Sequence, residues 1–451
     1  MPANLATMAF RFGNGLPSPE GAATDVASML ALLAGPDQIT ARHTGAGFAS
    51  VLPMLAKVEE TRLAQRQDPS QKPRYIAMLE TSGAAAIAGA QVTVARALDN
   101  PDGFRERLIR FWADHFSVSA RNRREYLLPG TLIEDAIRPH LTGGFAAMLQ
   151  AVTLHPAMLV FLDQVQSVGP ASTLGKRRDR GLNENLAREV MELHTLGVEA
   201  AYGQQDVRQL AELLTGLALD WSKGFVFDPR RAEPGAETVL GVSYGTDGLE
   251  PILQVLSDLA MRPETAAHIA RKLVVHFVSD SPDPALVAHI CAAYLNNGGD
   301  LMAVYSALLE HPAAWVDDAQ KARQPYDFIV SSLRALGVTG DAVLGAGKRP
   351  FRRFVISPLE AMGQSLQGPG GPDGWPEDVA VWINPAGLAA RINWAMDVPA
   401  RLIPDLPDPT ALAVRALGPL ASDRLLWAVT RAESVREGVG LVLASAEFNR
   451  R

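Results

Sequence analysis

Much of what this sequence says comes from what it lacks. One cysteine, Cys291, stands in 451 residues, which excludes a disulfide framework and a thiolate metal cluster. Its apolar setting, Ala288-His-Ile-Cys-Ala-Ala-Tyr294, suits a structural thiol, since only His289 offers a catalytic cysteine a local cation. There is no basic excess: 42 Lys and Arg face 49 Asp and Glu, for a net charge of −7. Phosphate backbones need a positive surface, so nucleic acid is not an expected partner. No window holds about 18 uninterrupted apolar residues, so no membrane span is expected. The first residues, Met1-Pro-Ala-Asn-Leu-Ala-Thr-Met-Ala-Phe-Arg-Phe-Gly13, lack a basic start followed by an apolar run. That is no secretory signal, and a soluble cytoplasmic protein is the expectation. P-loop, Rossmann fingerprint, nucleophile elbow and EF-hand loop are all missing, so no nucleotide or flavin cofactor is implied.

What is present reads as helix. Aromatic residues make up 6%, while Ala and Leu are abundant, a balance that favours helix over sheet. Hydrophobic content of 47% with 20% charged residues is that of a folded globular protein. Periodicity at i, i+3, i+4 predicts helices over 48–66, 72–98, 102–119, 144–161, 182–197, 203–217, 248–259, 262–279, 283–296, 299–310, 325–337, 353–366, 386–397 and 434–446, among others. Phe225-Val-Phe227 and Thr238–Tyr244 flank a Pro/Gly-rich turn and are expected to pair as one β-hairpin. A chain this long exceeds one small core. The expected fold is all-α: a multi-helix bundle of two or three subdomains with one small β-hairpin insertion. The divisions are an N-terminal helical subdomain over 1–165, a central polar-helix segment with the hairpin over 166–245, and a C-terminal helical subdomain over 246–451.

The run Gly181-Leu-Asn-Glu-Asn-Leu-Ala-Arg-Glu-Val-Met-Glu-Leu-His-Thr-Leu-Gly197 is the most informative stretch. On a wheel at 100° per residue, Leu186, Val190 and Leu193 form an apolar stripe with His194 at its border. Asn185, Arg188, Glu189 and Glu192 share another sector. A solvent-facing helix usually carries lysine, and this one has none. Either a satisfied polar network or a reaction centre fits. Glu189 and Glu192, one turn apart, raise one another's pKa as a general acid requires, while Arg188 between them is able to neutralise the pair. In a buried network, Arg188→Ala is expected to cost roughly 3–5 kcal/mol.

A second candidate is Leu108-Ile-Arg-Phe-Trp-Ala-Asp-His-Phe-Ser117. Its Leu108, Phe111, Trp112, His115 and Phe116 share one helical face, so His115 points toward the core as a satisfied histidine, an acid/base group or a metal ligand. His-Glu-x-x-His is absent. A divalent ion would need Glu192 and His194 at a helix end, or His115 as nitrogen donor. Arg271, Lys272 and His276 sit in an apolar segment where snorkelling is expected. Lys176, Arg177, Arg178 and Arg180 precede the polar helix as a solvated loop or as a flap over an anion. Trp375 and Trp382 either wall a pocket or pack.

These pieces carry a family resemblance. Arg11-Phe-Gly13, Phe111-Trp112 with His115-Phe116, Asn183-Glu-Asn185, Ala187-Arg-Glu189 and Glu192-Leu-His-Thr-Leu-Gly197 come first. Asp206-Val207, Leu214-Thr-Gly216, Lys272-Leu273, Phe277-Val-Ser-Asp280, Met362-Gly-Gln364, Gly374-Trp-Pro376 and Ser445-Ala-Glu-Phe-Asn-Arg450 follow in order. Together they resemble the bacterial family named domain of unknown function 1800. The resemblance implies a mostly helical fold. It also implies a partner similar to alkaline phosphatases and sulfatases, whose genes often neighbour those of the family and whose proteins tend to carry export signals; co-export to the periplasm would follow. Relatives place a His before an acidic-Pro-Gly run, whereas Ala232 precedes Glu233-Pro-Gly235 here.

Three functional readings follow. The first is a hydrolase acting on carbohydrate or another cell-envelope polymer. Glu189 and Glu192 exchange protons, His115 or His194 acts as second acid/base, and Asn183, Asn185, Arg188, Trp112 and Trp375 contact substrate. The second is a non-catalytic binding or maturation partner of the phosphatase-like protein. The third is a metal-binding protein using His115, Glu192 and His194.

Overall fold

The computed structural model describes residues 5–178, 181–245, 248–316, 321–366 and 368–451. The chain is mostly helical, and sequence punctuation accounts for many boundaries. Asp102 accepts the Arg105 N–H at 2.9 Å and starts the helix Gly103–His115. Asp283 caps Pro284–Asn296, whose Pro284 occupies the first turn, where a missing N–H does no harm. Pro156 divides the segment read as 144–161 into Phe145–Leu154 and Pro156–Phe161. The helix placed at 353–366 lies earlier, as Lys348–Phe351 running through Ser357–Ala361.

Buried apolar side chains form two clusters. One runs from Met8 to Ala314 and centres on Trp112, Phe145 and Tyr305. The other joins Phe10, Val94, Ala97 and Leu98 to side chains between Tyr326 and Phe448. The short turn Met8–Phe12 feeds both clusters, and Lys72–Asp99 sends the residues of its last turns to the second. Among the described residues no helix is long and apolar enough to cross a membrane.

The β-structure corrects the sequence reading. Phe225–Phe227 does not pair with Thr238–Tyr244. Leu217–Asp220 pairs antiparallel with Gly224–Phe227, and Glu237–Val239 pairs with Val242–Tyr244, giving two separate hairpins. The second turns through Leu240 and Gly241, both at positive φ (49° and 79°). That conformation is usually announced by Asn-Gly, and leucine in the first place hides it.

The polar helix is irregular. It runs as regular α-helix over Asn185–Glu189 and widens into a π turn over Val190–Thr195. The Leu196 N–H reaches the Met191 carbonyl five residues back at 2.9 Å. This shifts everything beyond Val190 relative to a 100° wheel. Met191 and His194 are therefore buried, while Leu193, expected in the apolar stripe, is only half-buried.

Candidate functional site

Four segments bring polar side chains to one place. The helix Gly103–His115 ends in Asp114 and His115. The polar helix contributes Glu189, Glu192 and His194. Pro263–Phe277 presents His268, Lys272 and His276, spaced by four and so on one face. The loop 371–377 adds Asp373, Trp375 and Glu377. Gly374 lets this loop close: at φ +86°, a Cβ there would lie 2.8 Å from the Asp114 carbonyl oxygen. The next residue, Trp375, then donates its backbone N–H to Asp114 at 2.8 Å.

The inner half of the site is made of imidazoles. The His115 ring lies 6.2 Å from that of His194 and 6.0 Å from that of His268, centre to centre. Carbonyls in a last helical turn lack partners within the helix. Here His268 Nε2 lies 3.0 Å from the Leu193 carbonyl, and His115 Nε2 lies 3.2 Å from that of His194. A carbonyl only accepts, so both rings carry their proton on Nε2. His115 Nδ1 and both His194 nitrogens are buried without a hydrogen-bond partner among the described residues. Burial first, then the Lys272 charge and the neighbouring rings, drives these histidines toward neutrality. His194 falls to about 3 and His268 to about 4, and His115 lies well below its ordinary value.

Carboxylates make the outer half. Arg188 reaches Glu192 at 3.1 Å, Glu184 at 3.4 Å and the Gln204 side chain at 3.0 Å. These side chains keep 38% (Arg188), 25% (Glu192) and 31% (Glu184) of their exposure. That is the regime of surface pairs worth about 0–1 kcal/mol, and the 3–5 kcal/mol expected for a sealed cluster does not apply. Glu189 is half-buried and has no hydrogen bond or ion pair among the described residues. Burial, then the charges of Glu192 and Asp373, lifts it to about 7 against the pull of Arg188. Burial likewise lifts Asp114 to about 6, opposed by the Trp375 N–H and by Lys272. Lys272 has no hydrogen bond or ion pair among the described residues. Burial lowers its pKa against the attraction of Asp114, Glu377 and Asp373.

Other expected contacts fall elsewhere. Trp112 is fully buried, its Nε1 donating to the Tyr305 hydroxyl at 2.6 Å, so no face is left for a substrate. The Asn183 side chain accepts the Asn185 N–H at 2.9 Å and starts the polar helix, while Asn185 itself is exposed. Trp375 is half-buried and lines a cavity, whereas Trp382 packs inside with its Nε1 on the Pro376 carbonyl. His115, Glu192 and His194 do not bring ligand atoms to a common point. The described residues that do so are His43, Asp99 and Asp341. There Arg42 already bridges the two carboxylates, at 3.2 and 3.0 Å. Lys176 and Arg177 are exposed, the Arg178 side chain is not described, and Arg180 lies outside the described residues.

Over residues 21–450 the sequence matches the family model described as "Protein of unknown function (DUF1800)". The chain belongs to the DUF1800 family. No curated protein and no solved structure matches it. DUF1800 pieces recognised along the sequence meet in space: His115 lies beside His194 of the polar helix, Lys272 bears on Asp114, and Trp375 donates to Asp114. Sequence reasoning missed Asp114, His268, Lys272, Asp373 and Glu377. Asp114 stood beside a more conspicuous histidine, and Lys272 read as a snorkelling surface cation. Its neighbour Arg271 is in fact exposed.

Proposed function

We propose that this DUF1800 chain is a hydrolase acting on carbohydrate or another cell-envelope polymer through carboxylate acid/base chemistry. The observation that supports this reading is the unpartnered Glu189 carboxylate. Held at about 7, it keeps a large protonated fraction at neutral pH and is suited to donate to a leaving group. Glu192, one turn on, differs by carrying the Arg188 ion pair. Asp373, exposed on the loop 371–377, bears electrostatically on Glu189 and supplies a carboxylate from a separate segment, as is needed because two groups on adjacent turns of one helix stand too close to flank a scissile bond. His115 and His194 lie behind these groups, and His115 helps hold the polar helix by donating to the His194 carbonyl rather than touching substrate. A reading as a maturation partner of a phosphatase-like protein is favoured by that sealed interior, but it leaves Glu189 without a role.

The test is turnover of cell-envelope polysaccharides and peptidoglycan, followed by new reducing ends. Glu189→Gln is expected to lower turnover by about 10²-fold or more in a variant that stays folded and melts no lower than wild type. Wild-type activity should fall as pH rises through about 7, because the working form is the protonated acid. Equal turnover by both proteins at every pH, or none on any such polymer, would count for the partner reading.

A further inference from the structure

One helical turn before Asp114 stands Arg110. Its guanidinium carbon lies 4.0 Å from the centre of the Tyr326 ring, and a guanidinium held over an aromatic face keeps the N–H groups around its edge available to a planar acceptor. The other arginines of this helix, and one facing it, are engaged. Arg105 pairs with Asp102 at 3.0 Å, Arg107 pairs with Asp327, and Arg138 reaches Glu106 at 2.9 Å. Arg110 has no hydrogen bond or ion pair among the described residues. It lines a partly open cavity of about 90 Å³ together with Asp114, Gln364, Ser365 and Trp375. Gln364 is already engaged, accepting the Tyr326 N–H at 2.7 Å and donating to Gln324 at 3.0 Å. The available recognition groups are therefore the Arg110 fork, the Asp114 carboxyl and the Trp375 ring.

We propose that this cavity is a subsite for a carboxylate-bearing unit of the substrate, gripped by Arg110 and flanked by Trp375. The cavity is the size of a small planar group with a water or two, given the ~30 Å³ share of one liquid water. Two N–H groups of the guanidinium fork match the two oxygens of a carboxylate. Asp114, protonated below about 6, adds an O–H donor as the solution becomes acidic. A phosphate dianion suits the place less well, because the Asp114 carboxyl lines it. This inference deepens the hydrolase reading by naming an acidic substrate, but the subsite itself is read out by binding alone.

The probe is glucuronate, with glucose as its neutral counterpart and inorganic phosphate as the other anion, measured on the full chain by calorimetry and ligand-observed NMR. Wild type is expected to bind glucuronate at least tenfold tighter than glucose. Arg110→Gln is expected to remove that preference, and Arg110→Lys, which keeps the charge and loses the fork, should not restore it. Arg110 packs on Tyr326, so melting temperatures are taken first; if the Gln variant does not fold, the Lys variant decides. Equal binding of glucose and glucuronate, binding of neither, undiminished binding by the variant, or a preference for phosphate would each overturn the assignment. Glu189→Gln should bind glucuronate like wild type. Binding without any polymer cleavage would leave the subsite standing and remove the hydrolase reading.

Discussion

Two lysines, Lys321 and Lys272, both lie within the influence of Glu377 yet have opposite surroundings. The Lys321 ammonium donates to Asp280, to the Glu377 carboxylate at 2.8 Å and to the Glu377 carbonyl at 3.0 Å, so its three N–H groups are matched by three acceptors. Around it, His276 holds Glu377 at 2.5 Å, and Arg451 and Arg107 both reach Asp327. Burial opposes ionisation of Glu377, but His276 and Lys321 outweigh it and hold the carboxyl at about 2. Lys272, by contrast, is approached by carboxylates without being hydrogen-bonded to any of the described ones. Native structures satisfy nearly all their buried polar groups. Lys321 is saturated in this way, whereas Lys272 is only half-buried and bonded to none of the described residues; the first is expected to hold the fold and the second, on the proposed function, to serve the site.

The sharpest way to break this comparison is to remove each ammonium. Lys321→Met is expected to destabilise by roughly 3–5 kcal/mol in chemical denaturation, since it strands Asp280 and Glu377. Lys272→Met should change stability by less than about 1 kcal/mol, because no partner is stranded, and should abolish turnover. Equal losses from both would erase the distinction.

Next in size is the acid response of the imidazoles. Their folded pKa values lie below the ordinary 6.5, so the stability they permit is complete above that value and lost as pH falls toward 4 and 3. His194→Leu removes one such group. Relative to wild type the variant should gain about 1.4 kcal/mol for each pH unit below 6.5, read from paired thermal melts. A difference that stays flat with pH would mean that His194 is already solvated or partnered.

Glu189 works in the opposite direction. Its folded value of about 7 exceeds the ordinary 4.5, so its contribution is complete below 4.5 and disappears as pH climbs through 7. Glu189→Gln should therefore melt increasingly above wild type from pH 5 to pH 8. The smallest effect belongs to Arg188→Ala, at about 0–1 kcal/mol. A loss of several kcal/mol in denaturation would move the Glu184–Arg188–Glu192 chain from the surface into the structural class that Lys321 represents.

Much of this was legible in the residues. Helix periodicity and its stops, Pro263, Pro284 and Gly197 among them, place most helices to within a few residues, because those signals are local. The hairpin pairing was not legible, since a leucine at positive φ replaces the usual turn residue. At the site, the Glu189–Glu192 pair was visible from its one-turn spacing, and the burial of His115 from its apolar face. Lys272 and Asp373 were not, because a cation and an acid far apart in sequence become one electrostatic unit only when the fold closes Gly374 onto Asp114. Trp112 was overread: its hydrogen bond to Tyr305 depends on a helix nearly two hundred positions away.

The π turn at 190–195 amounts to one surplus residue accommodated inside a helix. Excising a single position there would restore a regular spiral and swing all that follows by about 100°, withdrawing the Leu193 and His194 carbonyls from His268 and His115 while leaving Glu189 where it stands. The acidic rim and the imidazole floor thus hang on a hinge one amino acid wide, and length alone, with no change of side-chain chemistry, is enough to uncouple them.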